Sequence, residues 1–174
     1  MLNEQIQKRI NEQINAELYS SYLYYAMANY FETISLGGAA HWMRIQAIEE
    51  LTHVYKFADF INDRRGEVKL AAIDAPPAEW ESPLAAFEAA YEHEVMITGR
   101  INDLLDVALK HSDHATVNFL QWFVSEQVEE EANADQIVQQ LKLVNQSEGG
   151  LFMLDKELGG RPVVLPPELS GGGA

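Results

Sequence analysis

The sequence predicts an all-α fold: a bundle of four long helices with a short fifth helix after them. Apolar residues make up 47% of the 174 residues, which is enough to form a substantial core. They recur three and four positions apart instead of alternating, as they do on the buried face of a helix. The chain is also rich in Ala, Leu, Glu and Gln, which favour helices, and its glycine, proline and polar clusters separate long uninterrupted blocks.

The first two helices are predicted over about 3–34 and 38–65. Gly37 and Gly38 separate them. The second block closes with Arg64, Arg65 and Gly66. This pattern is typical of a helix end because cations favour the negative pole of the helix dipole.

The third and fourth helices are predicted over about 83–111 and 114–146. Ser82 followed by Pro83 predicts the start of the third helix, since serine is a common N-cap and proline is tolerated in the first turn. A short fifth helix is predicted over 151–158. The sequence therefore predicts one domain over 1–158 and an extended or mobile tail over 159–174, which is rich in glycine and proline.

The connector from Gly66 to Ser82 is too long for a tight turn. Its 17 residues can span up to roughly 56 Å when extended, whereas a helix of 28 residues is about 42 Å long. The connector can therefore run back along the whole bundle, so that helices two and three are parallel.

Each of the four long helices carries an apolar seam that is polar at its middle. The polar seam positions are Glu17 on the first helix, Glu50 and His53 on the second, Glu94 on the third, and Gln127 and Glu130 on the fourth. Because the helices have similar lengths, the four glutamates should lie at nearly the same height in the core. Buried bare carboxylates are costly, and no Lys or Arg occupies a seam position.

Two divalent metal ions would balance the four carboxylates. Glu50 and His53 are three positions apart, so both side chains can reach one ion. Mixed oxygen and imidazole ligands suit iron, manganese or zinc. The pattern thus predicts a dinuclear metal centre with Glu17 and Glu94 bridging or flanking the two ions.

These motifs resemble the ferroxidase centre of non-haem bacterial ferritins over nearly the whole chain. The matching segments are Glu17-Leu18-Tyr19-Ser20-Ser21, Glu50-Leu51-Thr52-His53, Glu94, Asn118-Phe119-Leu120-Gln121-Trp122, and Ser125-Glu126-Gln127 with the acidic run to Glu130. The resemblance implies the ferritin-like four-helix bundle. It also implies one iron held by Glu17, Glu50 and His53, and a second held by Glu50 as a bridge with Glu94, Glu130 and nearby Gln127. Since Gln127-x-x-Glu130 has no imidazole, the second ion is expected to be more labile.

The same resemblance assigns roles to residues around the centre. Glu49, Glu126 and Glu129 resemble a third iron site, although a solvated acidic face is the alternative. Tyr24 resembles the family's tyrosine beside the centre, as an electron carrier or simply as a core residue with a bonded hydroxyl. Trp122 is expected to pack in the core, with a role as a redox neighbour of the centre as the alternative. Leu51 occupies the position where bacterioferritins carry a haem-binding methionine, so no haem is predicted.

By this resemblance the protein is expected to be an iron-storage ferritin with ferroxidase activity. It would oxidise Fe(II) with dioxygen or hydrogen peroxide and store ferric mineral in a hollow homo-oligomeric shell of 24 subunits, with the fifth helix at the four-fold axes. The alternatives are a di-iron oxidase or oxygenase without storage, and a structural helical bundle without metal. The absence of cysteine excludes a rubrerythrin, and a small DNA-protecting shell is disfavoured because its metal ligands lie between subunits.

Composition narrows the partners further. There are 27 acidic and 12 basic residues, which give a formal net charge of −15, and the basic residues are scattered. This distribution argues against nucleic acid as a binding partner.

No stretch has the length of a membrane span, and the first residues lack a secretory signal, so a cytoplasmic location is expected. His41, His93, His111 and His114 have no acidic residue three or four positions away, and all four are predicted to be surface or loop residues.

Overall fold

The computed structural model describes residues 2–144 and 147–163, and within these ranges every regular element is a helix. The helices are α1 (Glu4–Thr33), α2 (Gly37–Asp63), α3 (Pro83–Lys110), α4 (His114–Leu143) and α5 (Glu148–Leu158). The prediction of an all-α bundle with a short fifth helix is confirmed. In the part of the chain that the structure describes, no helix is long and apolar enough to cross a membrane.

The helix boundaries differ from the prediction by a few residues. Helix α2 ends at Asp63 and not at 65, because Arg65 adopts the left-handed conformation with φ 56° and the Gly66 amide donates back to the Ile61 carbonyl. Helix α5 begins three residues earlier than predicted, and its start is capped by the Ser147 hydroxyl. The predicted cap of α3 is confirmed, since the Ser82 Oγ accepts from the Ala85 amide at 3.1 Å.

The long crossover lies along α1 and is bound through its backbone. Gln7, Asn11 and Asn15 form a stripe on α1, one turn apart. The Gln7 Oε1 accepts from the Glu67 amide, Asn11 both donates to the Glu67 carbonyl and accepts from the Lys69 amide, and Asn15 donates to the Ala72 carbonyl. At the other end of α1, Trp80 packs against Tyr30 at 5.3 Å. The crossover therefore runs the length of the bundle and makes α2 and α3 parallel, as predicted.

The core is divided into two apolar clusters with a polar layer between them. One cluster lies at the end that contains Tyr24, Phe31 and Phe87, and the other at the end that contains Ile10, Phe57 and Phe123. The polar side chains predicted from the seams lie at the level between these clusters and are buried.

Helix α5 crosses the N-terminal end of α2 in close contact. A Cβ atom on Gly38 would lie 1.6 Å from the Asp155 carbonyl oxygen, so only glycine fits there. The Asp155 carboxylate also accepts from the Ala39 amide at 2.8 Å, which caps the first turn of α2. The segment after α5, described as far as residue 163, returns over α2. Residues 164–174, most of the predicted tail, lie outside the described ranges.

Candidate metal centre

Three potential ligands from α1 and α2 converge in the polar layer. The His53 Nδ1 lies 3.2 Å from the Glu50 Oε2 and 3.8 Å from the Glu17 Oε2. One ligand atom from each of the three residues lies within 4.8 Å of the others. Glu17, Glu50 and His53 are each at most 2% exposed. Among the residues that the structure describes, they are the one group of this kind that could hold a metal ion.

One oxygen of Glu17 has no hydrogen-bond partner. The Glu17 Oε1 accepts from the Gln13 Nε2 at 2.8 Å, whereas the Oε2, which faces His53, is buried and unpartnered. A buried carboxylate oxygen without a partner is costly. A cation between Glu17, Glu50 and His53 would remove that cost.

The other half of the layer comes from α3 and α4. Glu94 accepts hydrogen bonds from the Tyr24 hydroxyl and, at 3.1 Å, from the Gln127 Nε2. Glu130 accepts at 2.7 Å from the Gln46 Nε2. Tyr24, Gln127 and Glu130 thus lie in the same buried layer as Glu94, and Gln127 donates a hydrogen bond to Glu94.

The pKa values indicate that the layer carries too much potential negative charge. Burial, together with repulsion from Glu94, raises the pKa of Glu50 well above its usual range. Burial also raises the pKa of Glu94. Burial and then repulsion from Glu94 and Glu49 raise the pKa of Glu130 to about 8. Glu130 is therefore mostly protonated at pH 7, and Glu50 and Glu94 are harder to ionise than exposed glutamates.

His53 and Glu17 behave as an ion pair. Burial alone would lower the pKa of His53, but the nearby carboxylates of Glu17 and Glu50 outweigh burial and raise the pKa well above its usual value. Burial opposes the ionisation of Glu17, yet the positive charge of His53, whose Nδ1 lies 3.8 Å from the Glu17 Oε2, brings the pKa of Glu17 below the usual value. A protonated His53 thus supplies positive charge to the layer, and a metal ion bound at its Nδ1 would have to displace that proton.

The three outer carboxylates lie close enough to influence one another. Glu49 and Glu126 are half-buried and Glu129 is exposed. Partial burial raises the pKa of Glu126, with repulsion from Glu129 and Glu49 adding to the rise and His53 and Lys56 opposing it. This proximity is what a third cation site between α2 and α4 would require.

Two glutamines that the sequence reasoning did not assign connect the layer to arginines. The Arg100 Nε donates to the Gln13 Oε1 at 3.1 Å, and the Arg161 Nη1 donates to the Gln46 Oε1 at 3.0 Å. Although no Lys or Arg lies on a seam, positive charge does reach the layer. Each of these two arginines is linked through one glutamine side chain to a buried carboxylate, Arg100 to Glu17 and Arg161 to Glu130. Gln13 precedes Glu17 by four positions, which is one turn of a helix and the one sequence signal for its role.

Two predictions from the sequence are wrong. His93 is not at the surface but is 8% exposed, with its Nε2 2.7 Å from the Ser20 hydroxyl. Burial lowers its pKa to about 4, so it is neutral at pH 7. Its position beside Glu94 on the helix gave no periodic signal, because the buried face is wider than a seam of single residues.

Trp122 is the second error, since its side chain is 41% exposed instead of packed in the core. One edge of the ring reaches His53, at 5.5 Å between centroids, and the Lys56 ammonium lies 4.7 Å from the ring centre. His41 is half-buried in α2 and bonds the Arg161 carbonyl. His111 and His114 are exposed, as predicted.

The family comparisons agree with this geometry. A sequence model of the ferritin-like domain matches residues 7–144. A bacterial non-heme ferritin of Bacteroides fragilis is 45% identical over 161 residues, which cover 92% of this chain and 100% of the relative. A bacterial non-heme ferritin of Escherichia coli O157:H7 is 40% identical over 158 residues, which cover 91% of this chain and 96% of the relative.

Solved structures of similar proteins have nearly the same backbone. A closed form of the Archaeoglobus fulgidus ferritin, engineered by site-directed mutagenesis, superposes with a TM-score of 0.93 and 52% identity, covering 94% of this chain and all of that one. The open-pore ferritin of the same organism has a TM-score of 0.92 and 52% identity, covering 93% and 100% of the two chains.

Proposed function

The chain belongs to the ferritin family, with bacterial non-haem ferritins as its relatives, and we propose on this premise that its buried layer is a ferroxidase centre that serves iron storage. Fe(II) is the substrate, and ferric ion is passed on to a stored mineral. The observation that carries the proposal is the unpartnered Glu17 Oε2 facing His53 and Glu50.

The ligand assignment follows the hydrogen bonds around each carboxylate. The first ion is bound by Glu17, Glu50 and His53, whose ligand atoms already converge. The second is bound by Glu50 as a bridge with Glu94 and Glu130, and Gln127 lies beside it. Because Glu94 and Glu130 are held by Tyr24, Gln127 and Gln46, these donors support their orientation for an incoming ion.

The oxidation of Fe(II) can be written with either of the two expected oxidants, dioxygen or hydrogen peroxide. Two Fe(II) ions give one electron each to dioxygen, which takes up two protons and leaves as hydrogen peroxide. Alternatively, two Fe(II) ions reduce hydrogen peroxide and two protons to two water molecules. The protonated His53 and carboxyl groups release protons when iron binds. The Tyr24 hydroxyl donates a hydrogen bond to Glu94, a proposed iron ligand, which supports a role in holding that carboxylate. The same contact places the Tyr24 ring next to the centre, as a role in electron transfer would require.

A third iron site is proposed at Glu49, Glu126 and Glu129. The mutual repulsion of these carboxylates supports it, since a cation would relieve that repulsion. Their partial exposure would let an ion leave the centre toward solvent, as transfer to a mineral requires.

We further propose that the protein assembles into a shell of identical subunits, with 24 as the expected number. Large apolar side chains near α5 support assembly, because Leu143, Phe152 and Met153 are each more than 60% exposed in the single chain.

Glu50→Ala tests the centre. Metal-free protein is mixed anaerobically with two Fe(II) per chain, and oxygen is then added. Wild type should oxidise the iron in a fast initial phase that Glu50→Ala lacks, with a loss of at least about tenfold in rate. Glu92→Ala is the matched control, because Glu92 is an exposed glutamate on α3. Equal rates in wild type and Glu50→Ala would contradict the assignment.

Sizing and iron loading test storage. A large assembly that takes up many iron ions per chain is expected. A monomer or dimer holding only a few ions would instead favour a di-iron oxidase or oxygenase, the alternative function.

A further inference from the structure

Arg161 is built into the outer side of the centre although it lies beyond the helical bundle. It follows α5, and its guanidinium lies over α2. The Nη2 donates to the Glu49 Oε2 at 2.5 Å and the Nη1 to the Gln46 Oε1 at 3.0 Å, while the group stacks 4.6 Å from the centre of the Trp42 ring. The side chain is 19% exposed. Partial burial, the second hydrogen bond to Gln46 and the stacking on Trp42 hold the guanidinium in place, so its pair with Glu49 is stronger than an ordinary surface ion pair.

The contact with Gln46 orients a carboxylate of the centre. An amide has an acceptor end and a donor end, so a guanidinium on the Gln46 Oε1 directs the Nε2 inward. There the Nε2 donates to the Glu130 Oε2 at 2.7 Å. Arg161 is therefore one hydrogen-bonded side chain away from a proposed iron ligand.

The contact with Glu49 occupies a carboxylate that a third ion would need. Glu49 is the member of the outer set that lies on α2, and its Oε2 already accepts from the guanidinium. A divalent ion that binds Glu49 must therefore bind close to this guanidinium, and two cations on one carboxylate repel each other.

We propose that Arg161 is a positioning residue that sets the affinity of the outer iron site, holding Glu49 as its counter-ion when the site is empty and being released when an ion binds there. This rests on the proposed function. Because Arg161 lies in the segment after α5, its release from Glu49 removes one of the contacts that hold this segment on α2. Binding of an ion at the outer site is in this way coupled to how firmly the segment that begins at Gly159 is held on α2.

Equilibrium binding of Zn²⁺, which is redox-inert, tests the competition in the full-length assembled protein. Metal-free wild type, Arg161→Gln and Arg161→Lys are titrated in parallel at one pH and salt concentration. In Arg161→Gln the weakest class of ions should bind about tenfold more tightly, because the competing charge is gone. The tightest class, assigned to Glu17, Glu50 and His53, should stay within twofold.

Three controls separate charge from other effects. Arg161→Lys keeps a cation for Glu49 and should leave the weakest class within about twofold of wild type. Gln46→Met removes the link to Glu130 but leaves the Arg161–Glu49 pair, and it should not tighten the outer class. Arg44→Gln removes an exposed arginine that pairs with Glu32 and should change neither class.

The outcomes are distinguishable. An unchanged or weaker outer class in Arg161→Gln overturns the role of Arg161, as does tightening in Gln46→Met that equals that in Arg161→Gln. A wild type that binds no Zn²⁺ at all contradicts the metal centre itself. A wild type with two ions that gains a third only in Arg161→Gln supports the inference. If Arg161→Gln does not fold, hydrogen exchange of wild type decides it: saturating Zn²⁺ should speed exchange of the hydrogen-bonded amides of Gly159, Gly160 and Arg161 severalfold relative to two ions per chain, and equal exchange overturns the release.

Discussion

At the scale of single residues, hydrogen-bond donors fix the orientation of the buried carboxylates. Three of the four carboxylates accept a hydrogen bond from an amide or hydroxyl donor: Glu17 from Gln13, Glu94 from Tyr24 and Gln127, and Glu130 from Gln46. Such donors stabilise the ionised form and restrict rotation of the carboxylate. Their loss should therefore change the pH dependence of metal chemistry more than the fold.

Tyr24→Phe tests this at one carboxylate. The Tyr24 hydroxyl lowers the pKa of Glu94 against the effect of burial, so its removal should raise that pKa further. Initial Fe(II) oxidation measured from pH 6 to 8 should show its rise shifted to higher pH, with a rate severalfold below wild type at pH 6.5. Tyr25→Phe, which alters an exposed tyrosine of the same helix, is the control. Superimposable profiles for wild type and Tyr24→Phe would contradict a direct role of the hydroxyl.

The seam positions could be predicted from the sequence because a buried acid in an apolar repeat is a strong periodic signal. Glu17, Glu50, His53, Glu94 and Glu130 all lie in the buried layer. Gln13 and Gln46 could not be assigned, since whether a glutamine donates to its own helix neighbour or across the bundle depends on side-chain geometry. Trp122 was misplaced because the seam spacing does not determine which edge of the helix faces solvent.

Among the helices, α5 depends on one close approach. Gly38→Ala should place a methyl group against the Asp155 backbone and push α5 away from α2. We expect a loss of at least about 2 kcal/mol in stability, as for other overpacked contacts, and faster hydrogen exchange in α5. The two quantities are measured by chemical denaturation and by exchange mass spectrometry.

Gly37→Ala provides the matched control, because nothing lies within 4 Å of its Cβ position and alanine favours a helix. It should leave α5 unchanged and slightly raise stability. Equal behaviour of the two variants would mean that α5 does not depend on the contact at Gly38.

The end of α2 and the start of α4 are joined by Arg64 and Asp113. The guanidinium donates to both carboxylate oxygens, at 2.9 and 3.2 Å, and Asp113 also caps the Thr116 amide. Asp113→Asn should lower the stability near pH 7 by about 1–2 kcal/mol. Asp103→Asn, at an exposed position that is 3.9 Å from Arg9, should have little effect.

The pH dependence of this pair has a definite sign. The Arg64 guanidinium holds the pKa of Asp113 below its usual value. The stabilisation is therefore complete above about pH 4 and is lost as the pH falls through the folded-state pKa. The difference between wild type and Asp113→Asn should shrink in acid denaturation curves, and a difference that grows below pH 4 would argue against the pair.

For the whole molecule, the buried layer makes stability depend on pH and metal together. The pKa of Glu130 is raised from 4.5 to about 8, so its stabilising contribution is present below about pH 4.5 and is lost as the pH rises toward 8. Glu50 and His53 act in the same direction. The low pKa of His93 acts in the opposite direction, but only between about 4 and 6.5.

The metal-free protein should accordingly lose thermal stability between pH 6.5 and 8. Zn²⁺ binds the deprotonated ligands, so saturating Zn²⁺ should remove that loss and release protons, which calorimetry in buffers of different ionisation enthalpy can count. Thermal denaturation at pH 6.5, 7 and 8 with and without Zn²⁺ is the measurement. A metal-free transition temperature that stays constant or rises over this range would contradict the assigned pKa directions.

The parallel arrangement of α2 and α3 has a consequence for how the chain folds. Helices α1 and α2 form one antiparallel hairpin and α3 and α4 a second, and each hairpin is built mainly from contacts that are local in sequence. The first hairpin carries Glu17, Glu50 and His53, and the second carries Glu94 and Glu130. The proposed centre is completed only when the two hairpins pack together, so a metal ion bound there would link the two halves of the bundle.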